Sequence, residues 1–198
     1  MAATLLPPES WAAPAGAQPA PFAPELARTF VAQIPPAERH LTLLTSTDRA
    51  RVSLCRAIAQ MLGDVGLEVE VVPLDLGVLL ARLSAGDFEA ALLQIPELTE
   101  PNVLRWFFHS SSIPGKGPGG ANRARFAHVE ADALLDVAAV NADLDTRKMA
   151  YAGFLQIIAQ ELPVIPLFHE DQVAAVSARA ASFSLSAEGR WLQLAAVP

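Results

Sequence analysis

Hydrophobic and polar positions change their period several times along the chain, and each change predicts an element. "HLTLLTS", from His40 to Ser46, alternates apolar and polar residues as a half-buried strand does. Leu54, Ile58, Met61, Leu62 and Val65 then fall at helical spacing, with Ser46 or Thr47 as the expected N-cap and Gly66 as the stop. "LEVEVV" from Leu67 to Val72 reads as a second strand, Asp75 to about Ser84 as a second helix, and "FEAALLQI" as a third strand. Upstream, "LARTF" from Leu26 to Phe30 is a short helix. Downstream, Glu130 to Val140 and Leu144 to Leu162 are two more, the last carrying a stripe of Tyr151, Phe154, Leu155 and Ile158. "PVIPLFHEDQVAAVS" reads as two strands around a turn at Glu170 and Asp171.

Alternating strands and helices with short links predict an α/β fold with a parallel or mixed sheet. The expected sheet uses the strands near Leu43, Val69, Leu92 and Val164 and is flanked by helices. Eight of the chain's 16 prolines lie in its first 36 residues, so residues 1–36 are expected to run largely extended across that sheet. Between the third strand and the helix at Glu130 runs "RWFFHSSSIPGKGPGGANRARFAHVEADALLD", a connection long enough to be either functional or disordered.

Composition narrows the function. The 198 residues are 52% hydrophobic and 18% charged, enough for a packed core. With 14 basic against 21 acidic side chains the formal charge is −7, which offers no field for a phosphate backbone, so nucleic acid is not an expected partner. The basic pair Arg123 and Arg125 is explained by a solvated loop. A single cysteine, Cys55, excludes an internal disulfide and sits where a small buried hydrophobe belongs. No apolar run reaches the roughly 18 to 20 residues of a membrane span, and the opening "MAATLLPPESWAAPAGAQPAP" lacks the basic and apolar regions of a secretory leader.

Catalytic residue types occur without catalytic motifs. His109 precedes three serines, and His169 precedes Glu170 and Asp171, but sequence neighbours do not make a triad. There is no "GxSxG", no "HExxH" and no phosphate loop, and "GKGPGG" lacks the spacing of one. A structural or solvated role is expected for both histidines, with metal ligation as the alternative. No enzyme activity, metal or cofactor is expected.

Several motifs stand in the order found in one family. "LLPPESWAA" is similar to "GPIPPGMWAYDP", and "PELARTFVAQ" to "PEKAKALLAEAG". "GLEVEVVPLDLGVLLARLSAGDFEAALL" is similar to "GI.VEL..LD...FL.RL..GDFDAAL", "NRARFAHVEADALLDVA" to "NRSGYSNPEVDALLDEA", and "QELPVIPLFHEDQVAAVSARAASF" to "EDLPYIPLWHRDNVVVVSKRVKGF". The chain thus resembles the C-terminal lobe of the family 5 extracytoplasmic solute-binding proteins, the peptide and nickel receptors of ABC importers. The resemblance implies a truncated type II periplasmic-binding-protein lobe: a proline-rich segment 1–36, an α/β ligand-binding lobe 37–169, and a C-terminal hairpin and tail 170–198 that would pack on a first lobe. It implies capture of a small peptide or related amine or chelate by domain closure, an extracytoplasmic location and ABC permease subunits as partners. Without the first lobe, self-association is expected. The alternative is a stand-alone binding or interaction module, or a remnant that no longer serves transport.

The resemblance also points to residues. Peptide-binding relatives hold the ligand's ammonium group with an aspartate before a "DPDNF" turn, and "QIPELTEP" places Glu97 at that position, with Glu100 at the second acidic position. Gln94 and Ile95 stand where relatives often have Gly-Trp. Trp106 is the aromatic candidate from "RWFF". Asn122 and Phe126 stand where the long loop closes on the pocket, Phe126 replacing a tyrosine. A solvated loop carboxylate remains the plain alternative for Glu97, and a core aromatic for Trp106.

Overall fold

A computed structural model describes residues 1–95, 100–116, 119–171, 173–180, 182–184 and 195. Glu97 and the "RWLQLAAV" segment, apart from Ala195, lie outside the described residues. The chain divides into two compact units, one formed by Ala20–Ile95 with Arg105–Asp132 and the other by Met1–Pro19, Pro96–Leu104 and Ala133–Pro198.

The first of these units is α/β. It opens with α1 (Pro24–Val31), which begins on a proline whose missing N–H costs nothing at a helix start. β1 (His40–Ser46) leads into α2 (Arg49–Gly63), β2 (Glu68–Leu74), α3 (Leu76–Ala85) and the short β3 (Ala90–Ala91). The order in the sheet is β2-β1-β3 and both pairings are parallel, with Leu43 opposite Val71 on one side and Ala90 on the other. Asp48 caps α2 by accepting from the Arg51 amide at 3.0 Å, and Asp75 caps α3 by accepting from the Gly77 amide at 2.8 Å. Asp48, not Ser46 or Thr47, is the N-cap because Ser46 is still paired in β1. α3 ends on Gly86 at φ 79°, a left-handed turn that glycine adopts without a Cβ penalty.

Leu44, Leu79 and Leu83 are buried at the centre of this unit, with Val72, Leu74, Phe88, Ala91 and Leu93 packed against them. Fully burying one such leucine is worth about 2 to 3 kcal/mol, so α3 is held to the sheet mainly by Leu79 and Leu83. Cys55 is fully buried on α2 beside Thr45. Burial pushes its thiol up, partly offset by that hydroxyl, as a packed and unreactive cysteine requires.

The other unit is helical and is built on α6 (Leu144–Glu161), with residues 103–104 of α4 (Val103–Phe108) and residues 133–140 of α5 (Val129–Val140). Tyr151, Phe154, Leu155 and Ile158 are buried, as their spacing predicts. Residues 1–19 of the proline-rich start belong to this unit, with Leu5 and Leu6 buried in bends and Ala12 in a turn, and the Trp11 ring meets Tyr151 edge-on at 5.9 Å; residues 20–36 belong to the α/β unit. The Arg147 guanidinium lies 4.7 Å over Trp11, is ion-paired with Glu100, and donates to the Ala138 carbonyl at 3.0 Å.

Both pairings among the described residues are parallel, one of the two arrangements expected, and one expectation for the sheet is corrected: there is no strand near Val164. Residues 162–171 and 173–177 form no strand; Pro163 and Pro166 each lack a ladder donor, and Ile165, Phe168, Val173 and Val176 are exposed.

Candidate functional site

β1 is the central strand, and its two crossovers diverge there. α2 carries the chain to β2 on one side, and α3 carries it back to β3 on the other. In open α/β sheets that divergence leaves a crevice outside the carboxyl ends of the strands, where ligands bind. Ser46 ends β1 at this edge and is buried, and Gln94 follows β3. Arg51, in the first turn of α2, bridges the two. Its Nη1 donates to Ser46 Oγ at 3.1 Å and its Nη2 donates to Gln94 Oε1. Gln94 stands three residues past the paired residues of β3.

Trp106, Asn122 and Phe126 belong to the long connection, which is ordered by its own polar groups. The Asn122 side chain is fully buried. Its Nδ2 donates to the carbonyls of Phe108 (3.1 Å), His109 (3.0 Å) and Phe126 (2.7 Å), while its Oδ1 accepts from the Phe126 amide at 3.0 Å. Asp132 accepts from the Ser110 amide at 2.9 Å and from the Ser110 hydroxyl. A Cβ on Gly120 would stand 2.2 Å from the Ser112 carbonyl oxygen, so only glycine fits there. Phe126 is half-buried and stacked on His128 with centroids 6.1 Å apart. Trp106 is 50% exposed and meets Phe107 edge-on at 5.1 Å.

Arg123 is half-buried and Arg125 is solvent-exposed, as a loop pair is expected to be, and both also tie back to α3. Arg123 Nε donates to Ser84 Oγ at 3.3 Å and Arg125 Nη2 to the Ser84 carbonyl at 3.1 Å, both at the C-terminal end of α3, where the helix dipole favours a cation. That end of α3 returns the chain toward the start of β3. The structure therefore puts Trp106 on α4 and Asn122 and Phe126 on the connection after it, with Arg125, next to Phe126, tied to the end of α3 that leads into the start of β3, whereas Gln94 stands past the other end of β3.

The histidines are engaged locally. His109 is buried, and its Nδ1 accepts from the Ser111 amide at 3.0 Å and lies 2.7 Å from the Ser111 hydroxyl. His169 is exposed, its Nε2 3.2 Å from the Thr4 carbonyl. A pocket of about 330 Å³ opens beside Thr42, Arg82, Asp87 and Glu89, but its charges are engaged with the chain itself. Arg82 donates to Asp87 at 2.8 Å, and Glu89 accepts from the Thr42 amide at 2.7 Å, which holds its carboxyl below the usual range. Arg51 is the residue that motif reading passes over. Its signal was local: an Asp cap directly after a strand, with an arginine three residues into the following helix.

No protein-family model matches the chain, and no curated protein matches it. Solved structures do. The oligopeptide-binding protein AppA from Bacillus subtilis, solved with a nonapeptide, superposes with a TM-score of 0.70 at 22% identity over 82% of this chain and 35% of its own. The ABC transporter-associated periplasmic binding protein DppA from Helicobacter pylori, solved with the peptide STSA, gives 0.68 at 20% identity over 83% and 33%. NikZ from Campylobacter jejuni, in complex with Ni(L-His), gives 0.61 at 18% identity over 72% and 31%. The chain has a type II periplasmic-binding-protein fold. Peptide and nickel receptors of ABC importers, the class its motifs resemble, recur among these neighbours, and the chain spans about a third of the length of each. No helix among the described residues is long and apolar enough to cross a membrane.

Proposed function

We propose that the chain is a solute-binding lobe that captures a small peptide, or a related amine or chelate, for an ABC importer and performs no chemistry on it. The observation that carries this reading is the fold match to receptors solved with a nonapeptide, a tetrapeptide and a nickel–histidine complex. The reading puts the ligand at the carboxyl edge of the sheet beside Gln94, and takes Glu97, Trp106, Asn122 and Phe126 as further contacts from the resemblance alone. The partners are the permease subunits of the importer and a complementary lobe or a second copy of the chain, and the location is extracytoplasmic.

Glu97→Gln tests the ammonium anchor, because it keeps size and hydrogen-bonding capacity and removes the charge. Calorimetric titration of the full chain with trialanine should weaken about tenfold to hundredfold, the weight of a hydrogen bond to a charged group. N-acetyl-trialanine, which has no ammonium, should bind parent and variant alike. Equal loss for both ligands, or none for either, would remove Glu97 from the site.

A further inference from the structure

β3 pairs through Ala90 and Ala91 among the described residues, and its own sequence does not choose their partners. "AALL" from Ala90 to Leu93 is two doublets. In the register observed, Ala91 and Leu93 pack against the core of Leu44, Leu79 and Leu83. A slip of one residue would offer Ala90 and Leu92 to the same core, again an alanine followed by a leucine two positions on. The apolar pattern thus leaves two registers nearly equal, although the slip would turn every later side chain to the other face. Gln94 is one of those side chains.

The start of the strand holds the distinction. Leu43 lies opposite Ala90 and Leu44 opposite Ala91, and the Leu92 amide donates to the Leu44 carbonyl at 2.8 Å. Along a strand the backbone groups of every second residue point to the same neighbour, so the Thr42 amide faces β3 as the Leu44 carbonyl does. Continued one step toward its start, this ladder would bring the Thr42 amide to the Phe88 carbonyl. The Glu89 carboxylate takes that donor instead, accepting from the Thr42 amide at 2.7 Å, and the Thr42 hydroxyl adds to the hold. After a one-residue slip Glu89 would stand opposite Leu41 or Leu43, whose amides point to β2. Its bond to the backbone would be lost.

We propose that Glu89 is a positioning residue for the solute site: its carboxylate pins β3 in register, and so fixes the face on which Gln94 leaves the strand to meet Arg51 at the carboxyl edge. The consequence for a solute rests on the solute-binding reading above; the register does not. The charges around the carboxylate are His40 of β1, which favours its ionised form, and Arg82 of α3, which is paired with Asp87.

Nuclear magnetic resonance on the full chain tests the pin without a ligand. In the parent, the Thr42 amide resonance should titrate together with the Glu89 carboxyl carbon, below the ordinary glutamate range because the Thr42 bonds favour the charged form. As pH falls through that value the carboxylate is lost, and contacts of a second register, Leu44 with Ala90 or with Leu92, should appear beside those of Leu44 with Ala91. Glu89→Ala should show both registers at neutral pH, with a second Gln94 side-chain amide resonance and a Thr42 amide that exchanges about tenfold faster. Glu89→Gln, which keeps the length and a neutral acceptor, should restore part of that protection and abolish the pH dependence. A side chain that merely packs would not couple the Thr42 amide to a carboxyl titration. Trialanine, titrated calorimetrically, should bind Glu89→Ala more weakly in proportion to the fraction left in the parent register, about tenfold where a tenth remains. A single register in Glu89→Ala with an unchanged Thr42 amide overturns the pin, whether or not the peptide binds. Two registers with unchanged trialanine affinity overturn the positioning role. If trialanine does not bind the parent, the peptide reading falls and the register result alone decides the pin. The parent titration decides it even if Glu89→Ala does not fold, because a Thr42 amide that ignores the Glu89 carboxyl overturns the proposal.

Discussion

The loop from His109 to Asp132 and the carboxyl edge of the sheet are both polar, and they use that polarity in opposite ways. In the loop, Asn122 engages three carbonyls and one amide, Asp132 holds Ser110, and the Ser111 amide is received by His109, so the chain satisfies its own backbone. At the edge, Arg51 reaches across from one strand end to the segment after another and keeps a net charge that no described carboxylate cancels. The first arrangement stabilises a fold that would otherwise leave buried polar groups unmet. The second ties the ends of two strands together. A long glycine- and serine-rich connection beside aromatic residues invites a functional reading, yet its polar side chains serve its own backbone.

Breaking the loop should have the largest effect. Asn122→Ala removes the Nδ2 bonds to the Phe108, His109 and Phe126 carbonyls and the Oδ1 bond to the Phe126 amide, while the Ser112 amide still donates to the His109 carbonyl at 2.9 Å, so at about 1 kcal/mol for each lost bond urea unfolding should show a loss of about 2 to 3 kcal/mol. Asn122→Asp, which keeps the Phe126 amide bond but loses the donors, should recover only a fraction. Gly120→Ala should cost about 1 to 3 kcal/mol, because the methyl must displace the Ser112 backbone. If either variant retains the parent's unfolding midpoint, the loop is not held as described. Arg51→Gln, in contrast, should move the midpoint by no more than about 0.5 kcal/mol, as for an ordinary surface change.

A smaller effect sharpens the contrast with a polar group that serves a helix end alone. The Asp143 carboxyl is held below its ordinary range by the Thr146 hydroxyl and amide at the start of α6. Its folded pKa lies below the unfolded one, so its contribution is complete above the unfolded carboxylate range and disappears as pH falls through the folded value. Thermal midpoints of parent and Asp143→Ala should therefore differ at pH 7 and converge near pH 2. A constant difference across that range would show that the cap acts without its charge.

Much of the fold is legible in residue spacing. The strand at His40–Ser46, the helix after it, and the Tyr151, Phe154, Leu155 and Ile158 stripe all stand as the periods predict, because each buries one face against a local partner. The failures share a cause: apolar runs say nothing of what they pair with. "FEAALLQI" yields only the two paired residues Ala90 and Ala91, and "PVIPLF" pairs with nothing in the sheet, its prolines withholding donors. The proline-rich start was readable as irregular, but its docking on α6 depends on Trp11 and Arg147, residues far apart in sequence. Of the candidate site, the motif resemblance supplies Gln94, Glu97, Trp106, Asn122 and Phe126 as expectations, while the bond from Arg51 to Gln94 joins residues 43 positions apart and has no signature in spacing.

Mapping where a ligand lands tests the solute-binding reading. Amide and side-chain resonances of the full chain would be followed as trialanine is added. Saturable shifts centred on Ser46, Asp48, Arg51 and Gln94, at the carboxyl edge of the parallel sheet, are expected. Shifts confined to the His109–Asp132 loop, or to the pocket beside Arg82 and Glu89, would contradict it, and so would a spectrum that trialanine leaves unchanged.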